Sequence, residues 1–480
     1  MRYAQRIILV LLVVFSWASC SDDDSFSSSA DMRLTFSIDS VTVDTIFSRV
    51  SSSTRAFWVY NKGKSGIRCQ NVRLAKGNQT GFRVNVDGIY LGASEGWQTS
   101  DIEIRRGDSI RVFVEATTPL TGKDFPQRIT DYLVFTLESG VEQQMPLTAW
   151  SWDALLLNRL HVSRDTTIAT TRPVVVYGPL TVDSMATLRI LGSTIYFHSD
   201  AGIDVYGRLI TDSLGGRETV LRGDRLDHMF DYLPYDRVSG QWKGVHFRSS
   251  SFGNELRHTD LHSASDGVVC DSASCDSTRS RLLVESSTIH NCQGYGLQAV
   301  HSNITILNSQ ISNTLNACLD IHGGYLRVVH STFAQFYPFD AARGKALFLS
   351  NLSGLEAVDL SASIVNSLVT GYADDEVGGE RDTSARFDYC FEHCLLRTPA
   401  VTDADSVCYV GVIFEASGDT ATLGKRHFVC IDEDNLIYDF RLKAMSPAVG
   451  AADPLSALPA DRYGIRRDEH PDIGAYEHTP

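Results

Sequence analysis

Three segments of the chain repeat at one short interval, and that interval limits the fold more than any other feature of the sequence. Ser287-Thr288-Ile289-His290-Asn291, Ser309-Gln310-Ile311-Ser312-Asn313 and Ser331-Thr332-Phe333-Ala334-Gln335 stand 22 residues apart. The same register aligns Leu282 with Ile304 and Leu326, Val284 with Ile306 and Val328, and Leu297 with Leu319. A fixed short period of strand-forming residues means a solenoid, in which each coil buries its apolar face only against its neighbours. The Leu-x-x-Leu-x-Leu-x-x-Asn pattern of leucine-rich coils is absent. Each repeat instead carries two or three short strands with β-branched residues at alternate positions, which is the pattern of a parallel β-helix. Ile289, Ile311 and Phe333 are therefore expected in one interior column, with neighbouring Cα atoms about 4.8 Å apart. Asn291 and Asn313 fall at one bend, where stacked amides are expected to hydrogen-bond between coils. The right hand follows from the preferred handedness of parallel crossovers.

Weaker coils extend both ways. Upstream, Thr181-Val182, Leu188 to Ile190, Thr194 to Phe197 and Ile203 to Val205 alternate with Gly178, Gly192, Gly202 and Gly207. Downstream, Ala346 to Leu349, Val358 to Ile364 and Phe387 to Leu396 have the same character. Polar, aromatic loops at 223–241 and 370–386 interrupt the count. Residues 32–152 are ordered differently. Short alternating runs such as Phe57-Val59, Phe82-Val84-Val86 and Ile110-Val112-Val114 are separated by turns such as Asn61-Lys62-Gly63. Period two with frequent turns predicts an antiparallel β-sandwich.

The N-terminus reads as a sorting signal. Arg2 and Arg6 precede a short apolar run, Ile7 to Phe15, and Trp17-Ala18-Ser19-Cys20 closes it. The run is too short to span a bilayer, so residues 1–19 are expected to be a removed signal peptide. Ala18-Ser19-Cys20 resembles the lipobox of bacterial lipoproteins, which implies lipid on Cys20 and outer-membrane lipid as its first partner. Residues 20–31, with Asp22-Asp23-Asp24 and Ser25 to Ser29, read as a flexible tether. They resemble the signal that exports such lipoproteins to the outer leaflet, so the expected location is the outer membrane, exposed at the cell surface.

Charged residues make up 21% and hydrophobic ones 43% of the 480, a globular composition. The formal net charge is −15 and no basic run exceeds Arg105-Arg106 or Arg466-Arg467, which argues against nucleic acid as a partner. Beyond Cys20 stand Cys69, Cys270, Cys275, Cys292, Cys318, Cys390, Cys394, Cys408 and Cys430. An odd, scattered set is not a disulfide framework. Cys390 and Cys394 around His393 have no second pair at metal-ligand spacing, so no metal or other cofactor is expected and the thiols read as small hydrophobes.

Trp242-Lys243-Gly244-Val245-His246-Phe247, the repeats, and an ending with Ser446 to Gly450, Asp461-Arg462-Tyr463-Gly464 and Pro471 to Glu477 resemble the choice-of-anchor Q type of right-handed parallel β-helix protein. Gly450 stands where many relatives carry Asp. Arg55 to Asn61 through Phe82 to Gly88 resembles the immunoglobulin-like modules that open surface lipoproteins of this kind. The expected fold is all-β, a right-handed parallel β-helix over 170–443 preceded by a small immunoglobulin-like β-sandwich over 32–152. Residues 444–480 are expected to cap the last coil. Asp-Ser and Asp-Thr followed by a small or aliphatic residue recur, as in Asp271-Ser272-Ala273 and Asp419-Thr420-Ala421. The pattern resembles the O-glycosylation acceptor of exported proteins of the same bacterial group, and it equally suits turns.

Catalysis on acidic polysaccharide needs clustered carboxylates with a base, or two carboxylates roughly 5–10 Å apart. With Leu319 and Ile321 pointing inward, Asp320 and His322 point outward along one strand, and Gln298 stacks beside Asp320 in the preceding coil. These three form the candidate ligand-binding patch; no aligned second carboxylate accompanies them, and no catalytic residue is assigned. The reading that follows is a non-enzymatic surface scaffold whose β-helix face binds glycan or a protein partner. The alternative is a polysaccharide lyase or glycoside hydrolase.

Overall fold

The computed structural model describes residues 25–230, 232–415 and 424–479. The signal segment, Cys20 and the Asp419-Thr420-Ala421 pattern lie outside them. The chain divides into two compact units, Met1–Asp153 and Ala154–Pro480. Among the described residues no helix is long and apolar enough to cross a membrane.

The first unit is the immunoglobulin-like β-sandwich, made of two five-stranded sheets. Arg55–Tyr60, Ser109–Ala116 and Phe82–Val86 form the centre of one sheet, all antiparallel. Ile67–Leu74, Gln127–Leu137 and Glu142–Trp152 form the centre of the other, and Val41–Phe47 joins its edge in parallel. Alternate residues, among them Phe57, Val59, Val84, Val112, Val72, Phe135 and Leu147, meet in one core, as period-two strands require. Of the segment 20–31 expected to be a flexible tether, the described residues from 25 on include two that pair with the sandwich. Phe26 bridges Gly66, Ser27 N donates to Gly66 O at 3.0 Å, and the Arg68 guanidinium lies 4.9 Å from the Phe26 ring. An apolar ring within a polar stretch found a surface to cover.

The second unit is a parallel β-helix. Its 17-stranded sheet takes two consecutive strands from most coils, and its 11-stranded sheet takes the third. They are called here the wide and the narrow sheet. The 22-residue register is met residue for residue: Ile289 pairs with Ile311 and Ile311 with Phe333, and all three are buried in the interior column. Leu261 precedes them and Val369 follows. The repeated serine is what ties the coils at this corner. Ser287 N donates to Ser309 Oγ at 3.1 Å, Ser309 N to Ser331 Oγ at 3.3 Å, and Ser331 N to Ser367 Oγ at 3.1 Å. The expected asparagine ladder is not formed, since Asn313 Oδ1 accepts no hydrogen bond. Asn291 and Asn313 serve the bend through their backbone, with φ of 54° and 55°, a conformation that asparagine tolerates better than most residues. Gly244 is needed for a different reason. A Cβ there would lie 1.7 Å from the Asp266 carbonyl oxygen of the next coil.

The coils begin and end earlier than the sequence suggests. Leu155–Asn158 already pairs in parallel with Val174–Tyr177, so the helix starts at 155 rather than 170. The last coil strand is Ile413–Phe414, whereas Phe428–Asp432 and Ile437–Leu442 form an antiparallel hairpin. Residues 444–479 do not cap the last coil but run back along the flank of the helix as a strap. Asn366, Thr332, Gln310 and Thr288, from successively earlier coils, meet Gly474, Ala475, Tyr476 and Arg462 in that order. The cause is the outward face of the narrow sheet, which turns apolar towards its end. Ala334, Leu368 and Leu395 lie there and are covered by Phe428, Phe440, Ala448, Ile473 and Ala475. Strands Gln310–Thr314, Thr332–Gln335 and Leu368–Gly371 are consequently buried on both faces.

The nine described cysteines are free thiols. Burial pushes Cys270 and Cys394 up to about 12, which removes them as nucleophiles at neutral pH.

Candidate functional site

Where the strap leaves the earlier coils, the outward face of the narrow sheet becomes polar. Thr259–His262 carries Asp260 and His262 outward, because Thr259 and Leu261 point in. In the next coil Thr288 lies beside Asp260 and His290 beside His262. The loop at 224–241 then places Asp236 over His262, held by Ser263 Oγ donating to Asp236 O at 2.7 Å. Trp242 steadies the strand from beneath. Its ring is fully buried and stacked on Phe197 at 4.3 Å, and its Nε1 donates to His262 O at 2.9 Å. The tryptophan of the 242–247 motif is thus a positioning residue for this face.

A chain of alternating basic and acidic groups results. His262 Nε2 donates to Asp236 Oδ1 at 2.9 Å and His262 Nδ1 to Asp260 Oδ1 at 3.1 Å. His290 Nε2 lies 3.1 Å from the same Asp260 oxygen, and Arg222 pairs with Asp236 at 2.8 Å. Burial disfavours an imidazolium at His262, but Asp260 and Asp236 outweigh it and hold its pKa at about 9. Burial likewise opposes ionisation of Asp260 and Asp236, and the histidines overcome it. Asp260 falls well below the usual carboxylate range and Asp236 to about 2. One nitrogen of each histidine and one oxygen of Asp260 all lie within 4.8 Å of one another, so these three side chains could hold a metal ion.

Asp260 and His290 form one wall of a cleft of about 430 Å³. Its other walls are Glu218, Thr288, Gln310 and Asn313 from the coils, with Tyr438, Asp439, Phe440, Arg441, Arg462, Tyr463 and Tyr476 from the hairpin and strap. Glu218 is paired with Arg462 at 2.5 Å and Asp439 with Arg441 at 2.5 Å. Tyr476 Oη donates to Gln310 Oε1 at 2.5 Å, and the rings of Tyr463 and Tyr476 lie 5.3 Å apart.

The patch chosen from the sequence lies on the wide sheet, and its three members do meet. Gln298 and Asp320 are register partners, with Gln298 Nε2 donating to Asp320 Oδ2 at 2.8 Å. His322 Nε2 lies 3.1 Å from the same oxygen, and its Nδ1 is 3.0 Å from Leu352 O. The hydrogen bond to Asp320 raises the His322 pKa, against a lowering by burial. Asp320, however, is only 3% exposed, although it points outward. Gln298 on one side, Phe348 on the other and His322 along the strand cover it. It is a closed hydrogen-bond unit with little left to offer a ligand.

The narrow-sheet site escaped sequence reasoning for two reasons. His262 and His290 stand 28 residues apart, because the loop 271–281 lengthens that coil and breaks the 22-residue period. Asp236 sits in a loop that only interrupts the repeat. A histidine at the same outward position, two residues after Asp260 and three after Ser287, was the available signal.

No family model matches the chain, and no curated protein matches it. Among solved structures, the ASH / PapD-like domain 7 of human CEP192 is similar at 10% identity and a TM-score of 0.18, over 28% of this chain and 94% of that chain. Pectate lyase Pel9A is similar at 14% identity and a TM-score of 0.30, over 68% of this chain and 88% of that chain. Likenesses this slight say nothing of activity, and the description of the chain as a β-sandwich followed by a parallel β-helix stands on its own sheets and registers.

Proposed function

We propose that the chain is a cell-surface lipoprotein of the choice-of-anchor Q type, held in the outer membrane by lipid on Cys20, whose β-helix is a glycan-binding scaffold. The cleft between the narrow sheet and the strap carries this reading. A sugar offers hydroxyl groups and apolar ring faces, and the cleft offers the exposed ring of Tyr463 and the half-buried ring of Tyr438 beside charges that are already paired. Binding there desolvates no unmatched ion. The same pairing favours binding over hydrolysis, which needs a carboxylic acid kept protonated to donate to the leaving oxygen. Burial pushes Asp260 and Asp439 upward, but their histidine and arginine partners hold both below the ordinary range.

The full chain, screened against acidic and neutral polysaccharides with binding and cleavage scored separately, tests the reading. Binding is expected without release of unsaturated or reducing ends. Tyr463 is 60% exposed, so Tyr463→Ala should leave the fold intact while weakening the bound glycan about tenfold, or about 1.4 kcal/mol. Release of unsaturated or reducing ends by the full chain would favour the lyase or hydrolase alternative instead. Anchoring is tested separately. Cys20→Ser should leave the protein outside the membrane fraction or leave its precursor unprocessed, because several acyl chains supply the attachment at about 0.8 kcal/mol per buried methylene. A variant that still partitions with membranes at mature size would refute lipidation.

A further inference from the structure

We propose that Asp260, His262 and His290 form a mononuclear site for a divalent transition-metal ion of the zinc class, with an open coordination position facing the cleft. This goes beyond glycan binding and does not depend on it. Three donors are held by backbone register rather than by flexible loops. Asp260 and His262 share one strand face two residues apart, and His290 is the register partner of His262 one coil on. Asp260 Oδ1 lies 3.1 Å from His262 Nδ1 and 3.1 Å from His290 Nε2. Zinc bonds of about 2.0–2.1 Å in a tetrahedron set ligand atoms about 3.3 Å apart, so the contacts to Asp260 open by a few tenths of an ångström.

The surroundings match a metal site as well as the donors do. Asp236 accepts from the far nitrogen of His262 at 2.9 Å, the outer carboxylate that orients a ligating imidazole and raises its basicity. Arg222 is tied to Asp236 by an ion pair at 2.8 Å and offsets that charge, which leaves Asp260 as the anionic ligand. Two imidazoles and one carboxylate suit zinc or cobalt(II) and not calcium or magnesium, which take oxygen ligands. Three protein ligands are also one short of a closed structural site. His262 is only 7% exposed by its side chain and lies behind, while Asp260 and His290 line the cleft. The fourth position therefore opens to the cleft, where a water molecule or an anionic ligand oxygen would complete the tetrahedron.

The full chain, freed of metal with a chelator, is titrated with Co²⁺ by visible absorption and with Zn²⁺ by calorimetry. One equivalent should bind, with the ligand-field bands of tetrahedral cobalt and no thiolate charge-transfer band. His290→Ala should weaken binding at least about 100-fold and Asp236→Asn about 10–100-fold, while His322→Ala leaves it unchanged. Circular dichroism of the metal-free variants checks the fold, and Asp236→Asn carries the test if His290→Ala fails it. Absence of the cobalt spectrum, a thiolate band, or equal affinity in a folded His290→Ala or Asp236→Asn variant would overturn the site.

Discussion

Ile311→Asp is expected to unfold the β-helix under conditions where the parent chain is stable. Ile311 is fully buried between Ile289 and Phe333 in the interior column. Removing its side chain forfeits roughly 1.5–3 kcal/mol of apolar burial. The carboxylate that replaces it finds no cation in an all-apolar column and must either desolvate or take up a proton, so the total loss is about 4 kcal/mol or more. Ile311→Val, which keeps the shape, should cost only about 0.5–1.5 kcal/mol. Denaturant titration followed by circular dichroism measures both. Equal stability of the aspartate variant and the parent would show that Ile311 does not face the interior.

Arg467→Ala is expected to release the strap, at a cost of about 3–5 kcal/mol. The guanidinium is buried, and its Nη1 donates to Glu477 Oε2 at 2.8 Å and to Asp472 O at 3.2 Å. Its Nη2 donates to Gly474 O at 3.0 Å and to Asn308 Oδ1 at 3.2 Å, so one side chain joins three residues of the strap to a corner of the helix. Without it, Glu477 is left buried without its counter-charge, in a place where burial already raises its pKa. The released strap would uncover part of the apolar flank formed by Ala334, Leu368 and Leu395, the hairpin residues Phe428 and Phe440 staying in place. Protease cutting within 444–479 and binding of an apolar dye should therefore rise before the coils themselves melt. Because the two side chains act as a unit, Arg467→Met combined with Glu477→Gln should cost less than the sum of the single changes. Strict additivity of the pair, or an intact strap in Arg467→Ala, would disprove this role.

The coil register was legible because a solenoid writes its tertiary contacts into a local period. When neighbours in space are 22 residues apart in the chain, aligned serines and aligned isoleucines are contacts in disguise. Ser287, Ser309 and Ser331 show how directly this works, since the repeated residue is itself the hydrogen-bonding rung. The same logic placed Gln298 beside Asp320. It could not say that Asp320 would be sealed by the side chains around it, because outward direction follows from period two whereas exposure depends on what neighbours carry.

What the sequence determined by itself was therefore the architecture: alternating strands for the sandwich, a short period for the β-helix, and the interior column at Ile289, Ile311 and Phe333. The tertiary structure alone decided where the polar site lies. Asp236, Asp260 and His290 come from a loop and two coils whose separations, 24 and 30 residues, fit no common period. The fate of residues 444–479 was equally invisible, since an apolar segment is complementary to any apolar face of similar shape. Only the folded helix reveals that the face left open is the flank of the narrow sheet, from Leu395 back to Ala334, and that covering it shapes the cleft.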